Sequence, residues 1–371
     1  MKKLTVIIPH LSYGGAEKVT FNLIQNLLKH KDIDLEILLL KLDANCEQDT
    51  NEKLKQLGEN VRIYITNSTK ISYSLIYLFR YLYANRNRHI LTVLNRVNIA
   101  ALLCGLFMNL KIYITVHDNF RNELQLNPSL KNKIIDICIR LLYRRASRII
   151  AVSDGIKHSL ISNYSIPKSK IVRIYNPVLT DLYKKDVNPV QHDWIKNNDI
   201  KVILAVGSLR IQKNFYLLIQ SFKLVLSKRN DVRLIILGEG PLRERLQSLI
   251  KDLGIENYVD LYGYVSNPLS FMYHSDVFVL SSDTEALPTV LIEALSVGMK
   301  VVSTNCLYGP KEILKDGKFG KLTPVGDAVA LAEAIVEVLS GKCFAKPDLS
   351  KYSLNFATDK YIETIFGNEK N

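Results

Sequence analysis

Ser281-Ser282-Asp283-Thr284-Glu285-Ala286-Leu287-Pro288-Thr289-Val290-Leu291-Ile292-Glu293-Ala294 follows the apolar run 277–280 and reads as a strand turning into a helix. Pro288 suits a first helical turn, where its missing N–H costs little. The N–H groups of Thr289 and Val290 are then free to meet an anion. Glu293 lies two turns into the helix beside Ile292, Ala294 and Leu295. A carboxylate in such surroundings needs a partner, and ribose hydroxyls are suitable ones. An exposed helix-face glutamate is the plainer alternative. The spacing of Glu285 and Glu293 around Leu287-Pro288-Thr289 argues against it.

The same alternation extends in both directions. Strand candidates at 201–206, 233–237, 259–261, 277–280 and 300–303 alternate with helical segments at 215–226, 241–253, 288–297 and 327–339. Toward the N-terminus, strands are expected at 4–9, 35–40, 61–65, 90–94, 111–116, 148–152 and 171–175. A helix at 17–30 is marked by Val19, Phe21, Leu23, Ile24, Leu27 and Leu28. This pattern predicts an α/β protein with parallel sheets: two Rossmann-like domains facing each other across a cleft. The polar stretch 186–198, with Pro189, reads as the linker. The expected domains are 1–180 and 181–350, followed by a final helical segment over 351–371.

With 371 residues, 47% of them hydrophobic, there is material for two cores and no expectation of disorder. The net charge of +13 favours anionic partners without choosing among nucleotide phosphates, lipid head groups and nucleic acid. No nucleic-acid motif supports the last. The five cysteines are scattered, with no CxxC, which argues against a disulfide framework or zinc site and fits a reducing cytosol. The N-terminus reads as a buried strand rather than a signal peptide, because its apolar stretch is short and contains Pro9. The longest apolar run, 99–108, is too short for a bilayer.

In open α/β sheets ligands lie beyond the carboxyl ends of the strands. After the first strand, Gly14 and Gly15 let the backbone come close to a ligand, and the following helix offers its positive end to a diphosphate. A tight turn with no ligand is the alternative. After 201–206, Arg210 and Lys213 precede a helix, where they would neutralise phosphate oxygens or form a solvated basic loop.

Taken together, these stretches resemble the group-one family of retaining glycosyltransferases with the GT-B fold. The resemblance rests on Gly14-Gly15-Ala16-Glu17, Ala151-Val152-Ser153-Asp154, Tyr175-Asn176-Pro177, Ala205-Val206-Gly207, Lys213-Asn214, Leu237-Gly238-Glu239-Gly240-Pro241-Leu242, Gly263-Tyr264-Val265 and the Glu285 to Glu293 segment. Asn305-Cys306-Leu307-Tyr308-Gly309-Pro310-Lys311-Glu312-Ile313-Leu314 further resembles members that add hexoses or N-acetylhexosamines to bacterial cell-surface glycans. The resemblance implies that Gly15, with Gly14, contacts the donor diphosphate and that Lys213 pairs with it. Glu293 would hold the ribose, and Glu285 the hydroxyls of the transferred sugar. His117 would lie beside that sugar; without the resemblance it reads as a structural histidine. His117 and Glu285 are thus the catalytic candidates. Gly14, Gly15, Arg210, Lys213, Thr289, Val290 and Glu293 are the donor-binding set. The final helix would pack back on the N-terminal domain.

Two positions depart from the family pattern. Ser208 stands where arginine is usual, and Ala286 where glycine is usual. If position 286 needs positive φ, alanine is strained there.

The implied reaction is transfer with retention from a nucleotide-sugar, preferably a UDP-sugar with GDP open, to a glycan or lipid-linked glycan in surface polysaccharide biosynthesis. No cofactor or metal is expected; the Asp32-Ile33-Asp34 triplet reads as a turn on the wrong side of the sheet. Tyrosines and arginines over 73–88, and isoleucines with lysines and arginines over 130–148, suit an anionic membrane surface or a core-facing helix with a solvated basic side. A cytoplasmic protein, peripheral on the inner face of the membrane, is the expectation. The rival readings are a non-catalytic nucleotide-sugar-binding module and, with less support, an epimerase.

Overall fold

The computed structural model describes residues 1–11, 15–40, 47–58, 61–66, 71–126, 128–180 and 187–367. Gly14, expected in the donor site, lies outside the described residues, as does Cys46. The chain forms two compact units, Met1–Val178 with Ser350–Asn371, and Leu179–Leu349.

Among the described residues, the first unit contains strands β1 (Lys2–Ile8), β2 (Ile33–Leu39), β3 (Arg62–Ile65), β4 (His89–Val93), β5 (Lys111–Val116), β6 (Arg148–Ala151) and β7 (Ile171–Arg173). They form one parallel sheet in the order β3-β2-β1-β4-β5-β6-β7. The second unit contains β8 (Lys201–Val206), β9 (Val232–Leu237), β10 (Val259–Gly263), β11 (Val277–Leu280), β12 (Lys300–Thr304) and β13 (Lys321–Thr323). These are also parallel, in the order β10-β9-β8-β11-β12-β13. Each is therefore a doubly wound, Rossmann-like sheet. In each, the strand order reverses beside the first strand, at β1/β4 and at β8/β11.

Burial on both faces explains the near-continuous apolar strands. All of β4 and all of β11 are buried. Helices cover the faces with stripes at helical spacing: Val19, Leu23, Ile24 and Leu27 on Gly15–Leu27 are buried, as are Leu218, Phe222 and Val225 on Phe215–Leu226.

The final helix, Leu354–Phe366, belongs to the first unit. Ala357, Tyr361 and Ile365 recur every four residues and join that unit's core. Asn26 Nδ2 donates to Thr358 Oγ1 at 3.0 Å and to Asn355 Oδ1 at 3.2 Å, and Tyr113 Oη donates to the Ile365 carbonyl at 2.8 Å. Fully burying a side chain of this size stabilises by about 1.5–3 kcal/mol.

Two local readings need correction. The stretch 186–198, read as the linker, packs from residue 187 onward within the second unit. Val190 is buried, the Asn188 N–H donates to Ser270 Oγ at 3.0 Å, and His192 Nε2 lies 3.1 Å from Asp260 Oδ2, all within the second unit. β13 escaped the sequence because three residues carry too little pattern to read.

The Asp32–Asp34 triplet lies at the amino end of β2. Asp32 pairs with Lys2 at 3.0 Å, and Asp34 with buried Arg88 at 2.6 Å and with Arg62 at 2.7 Å. Burial alone would raise the Asp34 carboxyl, but its two guanidinium partners outweigh that and hold it below the ordinary range.

Candidate functional site

In the second unit the chemistry gathers at the carboxyl edge of the sheet, where the strand order reverses. The loop after β8 makes a short 3-10 turn, Ile211–Lys213, and ends at Asn214 in the left-handed conformation, φ 44°. Asn214 caps the next helix by accepting from the Leu217 N–H at 3.1 Å, and its Nδ2 donates to Asp283 Oδ1 at 2.8 Å in the loop after β11. The Asp283 N–H donates to the Gln212 carbonyl at 2.9 Å, and Ser281 Oγ to the Lys213 carbonyl at 2.9 Å. These bonds fasten the two switch-point loops together.

Lys213 and Glu285 meet on this frame. Lys213 Nζ lies 2.5 Å from Glu285 Oε1, which also accepts from Ser282 Oγ at 2.7 Å. Thr304, at the end of β12, donates to the Ser282 carbonyl at 2.6 Å, so a third strand supports the loop. Buried Cys306 lies nearby. Burial first, and then the Glu285 charge, push its thiol up to about 12.

Arg210 is exposed in the same loop as Lys213, and its side chain makes no ion pair or hydrogen bond with a described residue. Thr289 and Val290 open the helix Thr289–Ser296, which has no side-chain cap. Glu293 is buried on that helix at 4% exposure, so it is not a solvated face residue. Ala286 is absent from the positive-φ residues, so its methyl carries no backbone strain.

Glycines allow the surrounding loops to stack backbone against backbone. Gly238 has φ 141°, and a Cβ there would sit 2.0 Å from the Gly207 carbonyl oxygen. Gly309, φ 83°, lies against Pro288, 2.4 Å from where its Cβ would fall. The resulting rim carries the carboxylates of Asp283 and Glu285 and the cations Arg210 and Lys213, beside a helix N-terminus with no side-chain cap. Such a set can hold an anion and bind hydroxyl groups.

In the first unit, Gly15 opens its helix, and a Cβ there would meet nothing within 4 Å. Neither packing nor positive φ demands glycine at this position. His117 follows β5. Its Nε2 lies 3.1 Å from Thr115 Oγ1, while its buried Nδ1 has no hydrogen-bond partner among the described residues. The same holds for His10 Nδ1 after β1 and for Asn176 Oδ1 after β7. Burial pushes the His117 imidazole down to about 4, and the nearby Asn176 side chain offsets only part of that. Asn95 Nδ2 donates at 2.8 Å to Asp118, the residue after His117. Leu94, φ 73°, joins β4 to the helix Asn95–Cys104; such strain costs on the order of 1–3 kcal/mol and clusters at functional sites.

The sequence reading did not assign roles to Asn214, Ser282, Asp283 or Thr304, which position the pair. Asn214 carried a usable signal, as asparagine ahead of an amphipathic helix is a common cap. Among the described residues, no group of three or more His, Cys, Asp or Glu side chains is arranged to hold a metal ion.

Two parallel Rossmann-like sheets, each with its strand order reversing beside its first strand, are the architecture of a GT-B protein. The family model for glycosyl transferases group 1 matches residues 189–354, and that for glycosyltransferase family 4 matches residues 13–182. The chain is 30% identical over 350 residues to the Campylobacter jejuni N-acetylgalactosamine-N,N'-diacetylbacillosaminyl-diphospho-undecaprenol 4-alpha-N-acetylgalactosaminyltransferase, covering 91% of this chain and 90% of that one. It belongs to the group 1, family 4-like glycosyltransferases.

Among solved structures, the apo form of the lipopolysaccharide outer core galactosyltransferase WaaB shares the fold, with a TM-score of 0.74, 21% identity and 99% coverage of both chains. Anabaena HepE in complex with UDP also shares it, with a TM-score of 0.72, 19% identity and coverage of 99% of this chain and 96% of that one.

Proposed function

We propose that this glycosyltransferase transfers a hexose or N-acetylhexosamine, with retention, from a UDP-sugar to a lipid-linked glycan in surface polysaccharide biosynthesis. The observation that carries the reading is the meeting of Lys213 and Glu285 on two loops fastened together at the switch point of the second unit. The Campylobacter relative, whose name specifies a diphospho-undecaprenol acceptor, and the UDP complex of HepE support the substrate classes.

In this reading Lys213 and Arg210 stabilise charge on the departing diphosphate, together with the helix N-terminus at Thr289 and Val290. Glu293 holds the ribose and Glu285 the sugar hydroxyls. Gly15, with Gly14, admits the diphosphate closely. His117 acts as a neutral imidazole that bonds a sugar hydroxyl. The leaving diphosphate is met by protein cations, so no metal cofactor takes part.

The test offers UDP- and GDP-sugars with a lipid-linked glycan extract and follows nucleotide release, with and without EDTA. Acceptor-dependent release from one donor, unchanged by EDTA and giving an α-linked product by NMR, is expected. A β-linked product removes retention from the account, and EDTA-sensitive release removes the metal-free mechanism.

A further inference from the structure

The first unit contains an apolar pocket of about 550 Å3, within the roughly 300–1,000 Å3 range of small-molecule sites. Its walls include Leu78, Ile99, Ile135 and Cys138, contributed by the helices Ile71–Ala84, Asn95–Cys104 and Leu130–Leu142. Two cations also line it, Arg96 and Lys131, each the second residue of its helix. Neither makes an ion pair with a described residue. Leu40, just past the carboxyl end of β2, lines one side, so the pocket reaches the carboxyl edge of the sheet, the edge beyond which ligands lie in open α/β sheets. Asn95, next to Arg96, bonds Asp118, next to His117. The charged part of the pocket is therefore joined to the His117 turn.

The surface around it is apolar and basic. Ile76, Phe79, Tyr83, Leu103, Phe107 and Ile134 are exposed, Phe107 at 92%. Over these helices and the turns that end them, the sole acid is Asp136, which is buried and held by Arg140 at 3.0 Å and Arg121 at 3.4 Å. An apolar cavity lined by two cations that have no ion-pair partner among the described residues fits an amphiphile of one hydrocarbon chain ending in phosphate. Two cations match the multiple charge of a diphosphate better than the single charge of a phosphodiester.

We propose that this pocket takes the first part of the isoprenoid chain of the acceptor, with Arg96 and Lys131 on its diphosphate, and so presents the attached glycan at the sheet edge. This rests on the reading of a lipid-diphosphate acceptor. It adds the site that recognises the lipid.

Cys138 is a free, half-buried thiol in the pocket wall and reports occupancy directly, while exposed Cys343 serves as an internal control. The full chain is alkylated with maleimide and the rate at each cysteine is followed by peptide mass spectrometry. Farnesyl diphosphate at ten times its dissociation constant should slow Cys138 by about tenfold and leave Cys343 unchanged. Inorganic diphosphate and short-chain phosphatidylglycerol at the same concentration should do little.

Arg96→Ala with Lys131→Ala should weaken protection by about tenfold or more. Unchanged Cys138 reactivity with farnesyl diphosphate, or equal protection by phosphatidylglycerol, overturns the assignment. Acceptor-dependent nucleotide release without Cys138 protection would sink the pocket and leave the transferase reading standing. Protection without transfer from any donor would keep the pocket and sink that reading.

Discussion

Glu285 Oε1 accepts from both Lys213 and Ser282, so the carboxylate is aimed before any ligand arrives. Its presence was legible in the sequence from its spacing to Glu293; its contact with Lys213 was not, because 72 residues separate the two. His117 shows the reverse case. The sequence placed it at a strand end, but only the structure shows the burial that lowers its pKa to about 4. An unfolded histidine titrates near 6.5. Between about pH 6.5 and 4 the unfolded chain binds the extra proton and the folded one does not, so stability falls as pH falls through that window. Urea unfolding from pH 7 to pH 4 should show this slope, and His117→Gln should flatten it. An unchanged slope in the variant would show that His117 is not the group responsible. The neutral imidazole also predicts no acid limb from His117 in kcat/KM above about pH 5.

Among the elements, the strands and most helices were legible because buried parallel strands form apolar runs and their helices carry stripes. What sequence could not give was why particular glycines recur. Gly238 and Gly309 stand where one loop backbone touches another. Gly238→Ala places a methyl 2.0 Å from the Gly207 carbonyl, and no flexible side chain is there to yield. Overpacking of this kind costs about 1–3 kcal/mol, and the positive φ adds to it. The urea midpoint should drop accordingly, and the Gly207–Asn214 loop should lose its register on Asp283. A midpoint within error of wild type would mean that the loops are looser than this packing implies. Ala286 would be strained only at positive φ, and it is not among the positive-φ residues, so strain there gives no ground for the non-catalytic alternative.

For the molecule as a whole, composition promised material for two cores, and among the described residues each unit has a buried apolar cluster, that of the first unit completed by the C-terminal helix. The net charge of +13 was legible as a preference for anions but did not say where it acts. The structure locates one concentration of exposed basic and apolar groups on Ile71–Ala84, Asn95–Cys104 and Leu130–Leu142. No helix among the described residues is long and apolar enough to cross a membrane. We propose peripheral binding to the inner face of the cell membrane through this surface. At low salt the protein should sediment with anionic liposomes, and Phe107→Ser with Leu141→Ser should reduce that. Failure of the wild type to sediment would end the proposal.

The central claim is that the switch-point loops of the second unit hold a nucleotide diphosphate. Its most direct test is calorimetric titration of UDP into the wild type, Lys213→Ala and Glu293→Ala, with the fold of each variant checked by circular dichroism. Binding by the wild type, weakened by about tenfold or more in each folded variant, is the predicted result. Equal UDP affinity in all three would contradict the account, since the diphosphate and ribose would then be held elsewhere.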